Sequence, residues 1–187
     1  MDYADNLKAL LSGDEKRQHL LSLVRSLDLP DCWIGAGTIR NAVWNFLHQR
    51  PPLPPSGDID VIWFDPARNS KHLDQQIEAR LQRLDDSVKW SVKNQSRMHL
   101  ANGDPPYQSA SDAMRFWPET ATAIGVRHED HGNLEISAPY GLDDLYQAIV
   151  RATPRFHAEK RSVFEARVQH KKWLEQWPLL RLAGAPD

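Results

Sequence analysis

Apolar residues repeat at helical spacing in two groups near the start of the chain. The groups are Leu7, Leu10 and Leu11, and then Leu20, Leu21, Val24 and Leu27. Because residues three or four positions apart share one face of a helix, this pattern predicts two amphipathic helices in the segment 4–28. Similar spacing predicts later helices at 38–48, 73–84 and 109–116, and a long C-terminal helix at 155–177.

Short apolar or alternating segments lie between these helices and are typical of strands. In the segment 87–94, valine and tryptophan alternate with polar residues, so one face of this strand is expected to be buried. The other strands are predicted at 32–35, 58–64, 120–128 and 134–137. Turn-forming residues at 130–133 predict a hairpin between the last two. The order of elements predicts an α+β fold, with a small mixed β-sheet flanked by helices, as a single domain over 1–187.

Composition and charge narrow the classes of function. The chain has 187 residues, of which 41% are apolar, and a formal net charge of -2. These values fit one globular domain and give no overall basic field for nonspecific nucleic-acid binding. No run approaches about 18 consecutive apolar residues, so no membrane partner is expected. Cys32 is the only cysteine and cannot form an intramolecular disulfide, which favours a reducing compartment, the cytoplasm.

One segment departs from this even balance of charge. Residues 151–172 contain seven lysines and arginines but two glutamates. A solvated helix face is the simpler interpretation of such a run, and a polyanion site is the alternative.

Two aspartates form the first candidate site. Asp58 and Asp60 lie two positions apart in a predicted strand, so both carboxylates project from the same face. Such a pair suits Mg²⁺, which commonly takes one or two carboxylates together with phosphate oxygens. Taken alone, the pattern is explained equally well if Asp58 caps a turn and Asp60 faces solvent.

A glycine turn precedes the helix predicted at 38–48. Gly35 and Gly37 permit close approach to the backbone, and the helix start presents unpaired N–H groups and its positive dipole end to an anion. Thr38 adds a hydroxyl and Arg40 adds a cation. The turn and the acidic pair together predict a phosphate site beside a metal site. A dinucleotide-binding turn is the rival interpretation, which Arg40 disfavours because a large side chain stands where that motif has its third glycine.

Motifs along most of the chain resemble those of one family. They are Gly35-Ala36-Gly37 with Arg40-Asn41, Asp58-Ile59-Asp60-Val61, and the stretches 90–95, 102–107 and 138–145. Over roughly 7–182 the chain resembles the bacterial nucleotidyltransferase-like family, a branch of the DNA polymerase beta superfamily. The resemblance implies the nucleotidyltransferase fold.

The resemblance also implies a site and a reaction. In that superfamily the glycine turn holds a nucleoside triphosphate and the paired aspartates hold Mg²⁺ or Mn²⁺. Asp58 and Asp60 are therefore implied as catalytic metal ligands. The residues implied in nucleotide binding are Gly35, Gly37, Thr38, Arg40 and Asn94. The implied reaction transfers a nucleoside monophosphate to an acceptor hydroxyl on a small molecule, a protein or an RNA.

A third carboxylate usually stands on a later strand in the superfamily. The corresponding strand here carries Lys93 or Asn94 at its inward positions. Asn94 can orient a water or an acceptor but cannot act as a general base. Glu135, Asp65 and His99 are candidates to supply a base from elsewhere. The alternative function is therefore a catalytically degenerate module that binds a nucleotide or a partner without turnover.

Overall fold

The computed structural model describes residues 2–129 and 132–184. Within these ranges the α-helices are α1 (Tyr3–Ser12), α2 (Glu15–Arg25), α3 (Gly37–Leu47), α4 (Lys71–Leu84), α5 (Met98–Asn102), α6 (Ala110–Met114), α7 (Asp143–Tyr146), α8 (Pro154–His157), α9 (Arg161–Lys171) and α10 (Trp173–Gln176). The strands are β1 (Trp33–Gly35), β2 (Asp58–Trp63), β3 (Lys89–Asn94), β4 (Gly125–His128), β5 (Leu134–Ser137), β6 (Ile149–Val150) and β7 (Arg181–Leu182). Asp130 and His131, which the sequence predicts in the hairpin turn, lie outside the described residues.

Five strands form one mixed sheet in the order β3-β2-β1-β4-β5. The β2–β3 pair is parallel, whereas β1–β2, β1–β4 and β4–β5 are antiparallel. Because β2 and β3 run in the same direction, the end of β2 and the start of β3 lie at opposite ends of the sheet. The chain therefore needs a crossover connection, which α4 supplies. The predicted α+β class with a small mixed sheet is confirmed, as are the two N-terminal helices.

The two faces of the sheet differ in what covers them. Alternate residues of β2, including Val61 and Trp63, are buried in the main core against the helices. On the other face, Ile62 belongs to a smaller cluster with Met114 of α6. Asp58 and Asp60 share that second face with Ile62, but they lie beyond α6 and border an open cleft.

The strand predicted at 120–128 begins only at Gly125, so its first half is wrong. Residues 119–124 form tight turns, in which the Ala123 amide donates to Glu119 O at 3.0 Å. Alternating threonines favour a strand in sequence. In the structure Thr120 instead donates its amide to Arg151 O at 3.0 Å, so the segment packs against the C-terminal part of the chain.

The predicted C-terminal helix is present as α9, but it covers less of the chain than the predicted span 155–177. The span 155–177 is divided into α8, α9 and α10, of which α9 is the longest. Lys172 ends α9 in the left-handed conformation, with φ of 51°. The resulting change of direction packs Trp173 against Trp44, with ring centroids 5.6 Å apart. Beyond α10, β7 pairs in parallel with β6, so strand pairing fixes both ends of the α8–α10 segment.

No helix in the described part of the chain combines the length and the apolar character needed to cross a bilayer.

Candidate active site

An open cleft of about 480 Å³ lies where α3, β2 and the C-terminal helices meet. Its lining includes Gly37 and Arg40 of α3, the carboxylates of Asp58 and Asp60, and Arg167 of α9. A second, more enclosed cavity beside Cys32 has only about 50 Å³, which is too small for a nucleotide. The larger cleft, which also holds the predicted carboxylate pair, is therefore the candidate site.

The acidic side of the cleft is the first part of β2. The Asp58 carboxylate is 46% exposed and its Oδ1 lies 3.1 Å from Lys89 Nζ. Asp60 is less exposed, and burial, followed by the charge of Asp58, raises its pKa. Arg167 is the strongest of the cations that lower that pKa. Repulsion between two carboxylates remains, so an added cation would be favourable here.

These aspartates fit the donor set that Mg²⁺ prefers. Both present hard carboxylate oxygens on one strand face. Among residues 2–129 and 132–184, no group of three His, Cys, Asp or Glu side chains is placed to hold a metal. The site is thus suited to an ion that takes its remaining ligands from water and substrate phosphates, as Mg²⁺ commonly does.

Within the glycine turn, the residue with a strained backbone conformation is an alanine. Ala36 has φ of 52° and precedes α3, and its amide donates to Ile124 O at 3.0 Å. No side chain caps the start of α3. Because Ala36 and Gly37 line the cleft, this uncapped helix start borders the space beside the carboxylates.

Gly35 and Thr38 stand next to that turn but do not line the cleft. A Cβ on Gly35 would lie 2.9 Å from Trp117 Cη2 and 3.1 Å from Ile124 O, so glycine is required there for packing. Thr38 is buried, and its carbonyl accepts from Arg17 Nε at 2.8 Å. The structure therefore places Gly35 and Thr38 beside the turn and outside the cleft lining, whereas the sequence predicts both in the nucleotide site.

Arg40 is a buried cation at the edge of the cleft. Its guanidinium lies 4.5 Å from the Trp44 ring centroid and 4.4 Å from that of Trp173. Nη1 donates to Thr122 Oγ1 at 2.7 Å, and Nη2 donates to Asn41 Oδ1 at 2.8 Å. Burial lowers the pKa of Arg40 to about 10, so it remains charged at neutral pH. Most of its contacts are structural, although it lines the cleft.

Asn94 lies away from the cleft, at the far end of β3. In the parallel register it is paired with Trp63, whereas Asp60 is paired with Ser91. The Asn94 amide is fully buried and donates to Asp65 O at 2.8 Å and Arg68 O at 2.9 Å. The Asn94 side chain therefore holds the loop after β2 and does not line the cleft, and its contact with a nucleotide stays a prediction.

Sequence reasoning missed residues that the fold brings to the cleft or to the strand position beside Asp60. Ser91 shares the sheet face of Asp60, whereas Asn94 belongs to the opposite, buried face. Arg167 and Lys171 of α9 line the cleft. The excess of lysine and arginine in the segment 151–172 indicates them, because a polyanion site is the alternative to a solvated helix face there. Ser91 was also detectable, because its neighbours Trp90 and Val92 alternate with it.

The third carboxylate is absent from the cleft lining in the described ranges. Asp65 bonds to Arg68 through a 2.7 Å contact beyond the other end of β2. Glu135 pairs with Arg127 on the far side of the sheet order. His99 is on α5 and does not line the cleft. Asp58 and Asp60 are thus the carboxylates that this site presents.

Together, the fold and the cleft indicate that this protein is a nucleotide-transferring domain. The family described as Nucleotidyltransferase matches residues 22–182, and the chain belongs to that family. The resemblance inferred from the sequence motifs is confirmed. No curated protein matches the chain.

Solved structures agree with this assignment. A protein whose NMR structure reveals a CCA-adding enzyme head domain is 33% identical, over 95% of this chain and 94% of its own, with a TM-score of 0.85. A CCA-adding enzyme in complex with CTP is 14% identical, over 97% of this chain and 43% of its own, with a TM-score of 0.58. The Thermotoga maritima CCA-adding enzyme complexed with tRNA is 13% identical, over 99% and 43%, with a TM-score of 0.58. The last two share the fold, and this chain spans less than half of their length.

Proposed function

We propose that this protein transfers a nucleoside monophosphate from a nucleoside triphosphate to an acceptor hydroxyl, in a reaction that depends on Mg²⁺ or Mn²⁺. The observation that carries the proposal is the composition of one cleft, in which paired carboxylates on β2 border the same space as an uncapped helix start and two arginines. Carboxylates suit a metal and the cations suit phosphates. Family membership supports nucleotidyl transfer in general.

Asp58 and Asp60 would hold the metal ion. When bound there, Mg²⁺ supplies charge neutralisation at the phosphates and helps to position them for in-line displacement. The chain's own contribution is to fix these carboxylates on a strand that is paired on both sides. The Gly37 end of α3 and the guanidinium of Arg40 would bind the β- and γ-phosphates.

In the proposed reaction the acceptor oxygen bonds to the α-phosphorus and the bond to the pyrophosphate oxygen breaks. The hydroxyl proton passes to water or to a carboxylate at the site, and pyrophosphate leaves with the bonding electron pair. Ser91 faces Asp60 across the β2–β3 pair. Its hydroxyl can orient the acceptor or a water, but a neutral hydroxyl is too weak a base to take the acceptor proton in place of a carboxylate.

The acceptor is proposed from the similar proteins. Solved structures with this fold include CCA-adding enzymes with CTP and with tRNA. An RNA 3′ hydroxyl is therefore the first acceptor to examine, followed by small-molecule and protein hydroxyls. We also propose the cytoplasm as the compartment, which the single buried Cys32, whose pKa burial raises to about 12, supports.

A second candidate function follows from the cleft's carboxylates. The absence of a third carboxylate from the described lining favours a module that binds a metal–nucleotide complex without turnover. Incubation with labelled ATP, CTP, GTP and UTP across an acceptor panel, including tRNA that lacks its 3′ end, distinguishes the two. Labelled product in a Mg²⁺-dependent manner supports transfer. Tight nucleotide binding without product from any acceptor supports the binding module.

A further inference from the structure

Two cations on α9 line the same cleft as the carboxylate pair. Arg167 and Lys171 are four residues apart, so they project from one side of the helix. The rest of α9 is mostly exposed, with Val168 as its buried residue. The side of α9 that carries Arg167 is thus directed to the cleft by particular contacts, not by a broad apolar interface.

The contact that fixes Arg167 is an ion pair with Glu119. Arg167 Nε donates to Glu119 Oε1 at 2.7 Å, and the Glu119 side chain is 1% exposed. The Arg167 side chain is 31% exposed and its guanidinium carbon lies 5.4 Å from the Trp173 ring centroid. A guanidinium carries five N–H donors. Nε uses one, and among the described residues no acceptor is bonded to the two terminal nitrogens.

The turn that contains Glu119 supports the second arginine as well. Thr122, three residues later, accepts from Arg40 Nη1 at 2.7 Å. Glu119 Oε2 is buried without a hydrogen-bond partner in the described ranges. Its negative charge also favours the charged form of Arg40. One buried carboxylate therefore interacts with both cations, and Arg167 lines the cleft with terminal nitrogens that bond no described residue.

We propose that Arg167 is a further nucleotide-binding residue that holds the leaving phosphates, and that Glu119 is the positioning residue that fixes it. The identity of the ligand rests on the proposed function. The ligand chemistry is a polyphosphate, because the planar guanidinium binds phosphate oxygens through paired N–H donors. Lys171, one turn later, adds a second positive charge to the same anion site.

The direct test is binding of inorganic tripolyphosphate, measured by calorimetry with Mg²⁺ and again with EDTA. Arg167→Gln should weaken binding by about tenfold or more, since hydrogen bonds to charged groups are lost. Arg161→Gln is the matched control, because Arg161 is on the same helix, is 69% exposed and pairs only with Glu165 among the described residues. It should change the affinity by less than about twofold, because exposed charges are screened.

Glu119 variants separate positioning from folding. Glu119→Gln keeps an oxygen that accepts from Arg167 Nε, so tripolyphosphate affinity should be retained. Glu119→Ala removes that acceptor and should weaken binding as much as Arg167→Gln does. In a transfer assay, both weakened variants should raise KM for the triphosphate more than they lower kcat. A merely structural role would lower the folded fraction without this split.

Several results would overturn the inference. They are equal affinities for Arg167→Gln and Arg161→Gln, absence of tripolyphosphate binding by the unaltered protein, or transfer with an unchanged KM in Arg167→Gln. In the last case the proposed transfer function stands while the role of Arg167 fails. Conversely, Arg167-dependent binding without transfer to any acceptor sustains the inference and contradicts the transfer function.

Discussion

The acidic and the basic sides of the cleft are built in different ways. Asp58 and Asp60 come from one strand, two residues apart, and strand alternation alone puts them on the same face. Arg40 and Arg167 come from different helices and meet through the turn at 119–122. The acidic side is therefore set by local geometry, whereas the basic side depends on tertiary packing.

Because of this difference, we expect substitutions on the two sides to affect ligand binding and folding stability to different extents. The carboxylates repel each other and are held in place by the strand, so their removal should affect ligand binding more than folding. The arginines stack on tryptophan rings and donate hydrogen bonds to buried side chains, so their removal should affect both ligand binding and folding. Single substitutions on each side distinguish these expectations.

The largest expected effect is on the acidic side. Asp60→Asn should reduce Mg²⁺-supported triphosphate binding by about 100-fold or more, since changes even outside the direct ligands of a metal cost about 10–100-fold. Titration with a nonhydrolysable nucleoside triphosphate measures it. Asp86→Asn, the same change at an exposed loop position, is the control. Equal affinity for the two variants would contradict the assignment of Asp60 to the metal site.

The next largest effect is on the basic side. Arg40→Ala should lower the free energy of unfolding by about 3 kcal/mol, because it removes two cation–π contacts and leaves Thr122 and Asn41 without their donors. Urea denaturation gives this value. Arg161→Ala removes the same charge at an exposed site and should change stability by less than about 0.5 kcal/mol. If Arg40→Ala lowered the free energy of unfolding by as little as Arg161→Ala does, the buried contacts of Arg40 would contribute little to stability.

The glycine turn between the two sides allows a smaller comparison. Gly35→Ala should destabilise the protein by about 1–3 kcal/mol, because the new Cβ would press on Trp117 and the Ile124 carbonyl. Gly37→Ala should change stability by less than about 1 kcal/mol, since its Cβ would make ordinary contacts at 3.6 Å and 3.7 Å. Thermal melts of both variants provide the comparison. Equal losses would show that the two glycines serve the same purpose.

The smallest expected effect is the pH dependence of Asp60. Its pKa is raised in the folded protein, so its contribution favours folding below the ordinary value of 3.8 and is lost as pH rises through the raised pKa. Asp60→Asn lacks this loss and should therefore gain stability relative to the unaltered protein as pH rises. Urea denaturation of both proteins between about pH 4 and about pH 7 measures the difference. A constant difference across that range would contradict the raised pKa.

The sequence predicted features that are local and missed those that depend on distant contacts. Strand alternation is enough to put Asp58 and Asp60 on one face, and the order of elements is enough to predict the mixed sheet. The same alternation, with Trp90 and Val92 on the buried face, places Asn94 in the core, where its amide holds a loop. The family resemblance instead implies a nucleotide-binding role for Asn94.

The basic side could not be derived in this way. Arg167 lies far along the chain from Asp60, and nothing in the spacing relates them. Glu119 is hard to find from sequence because the threonines that follow it have strand propensity, whereas in the structure the Thr120 amide donates to Arg151 O and the Thr122 amide closes a turn onto Glu119 O. Only the packed fold shows that this turn supports both arginines.

The pairing of β6 with β7 has a consequence for local unfolding. These strands bracket the α8–α10 segment, whereas α9 within it is mostly exposed to solvent. We expect α9 amides to exchange with deuterium through openings of lower free energy than those of the central strand β2, while both ends of the segment stay attached. Tripolyphosphate bound by Arg167 should slow that exchange, so ligand binding would be recorded as protection of a helix without any change in the sheet.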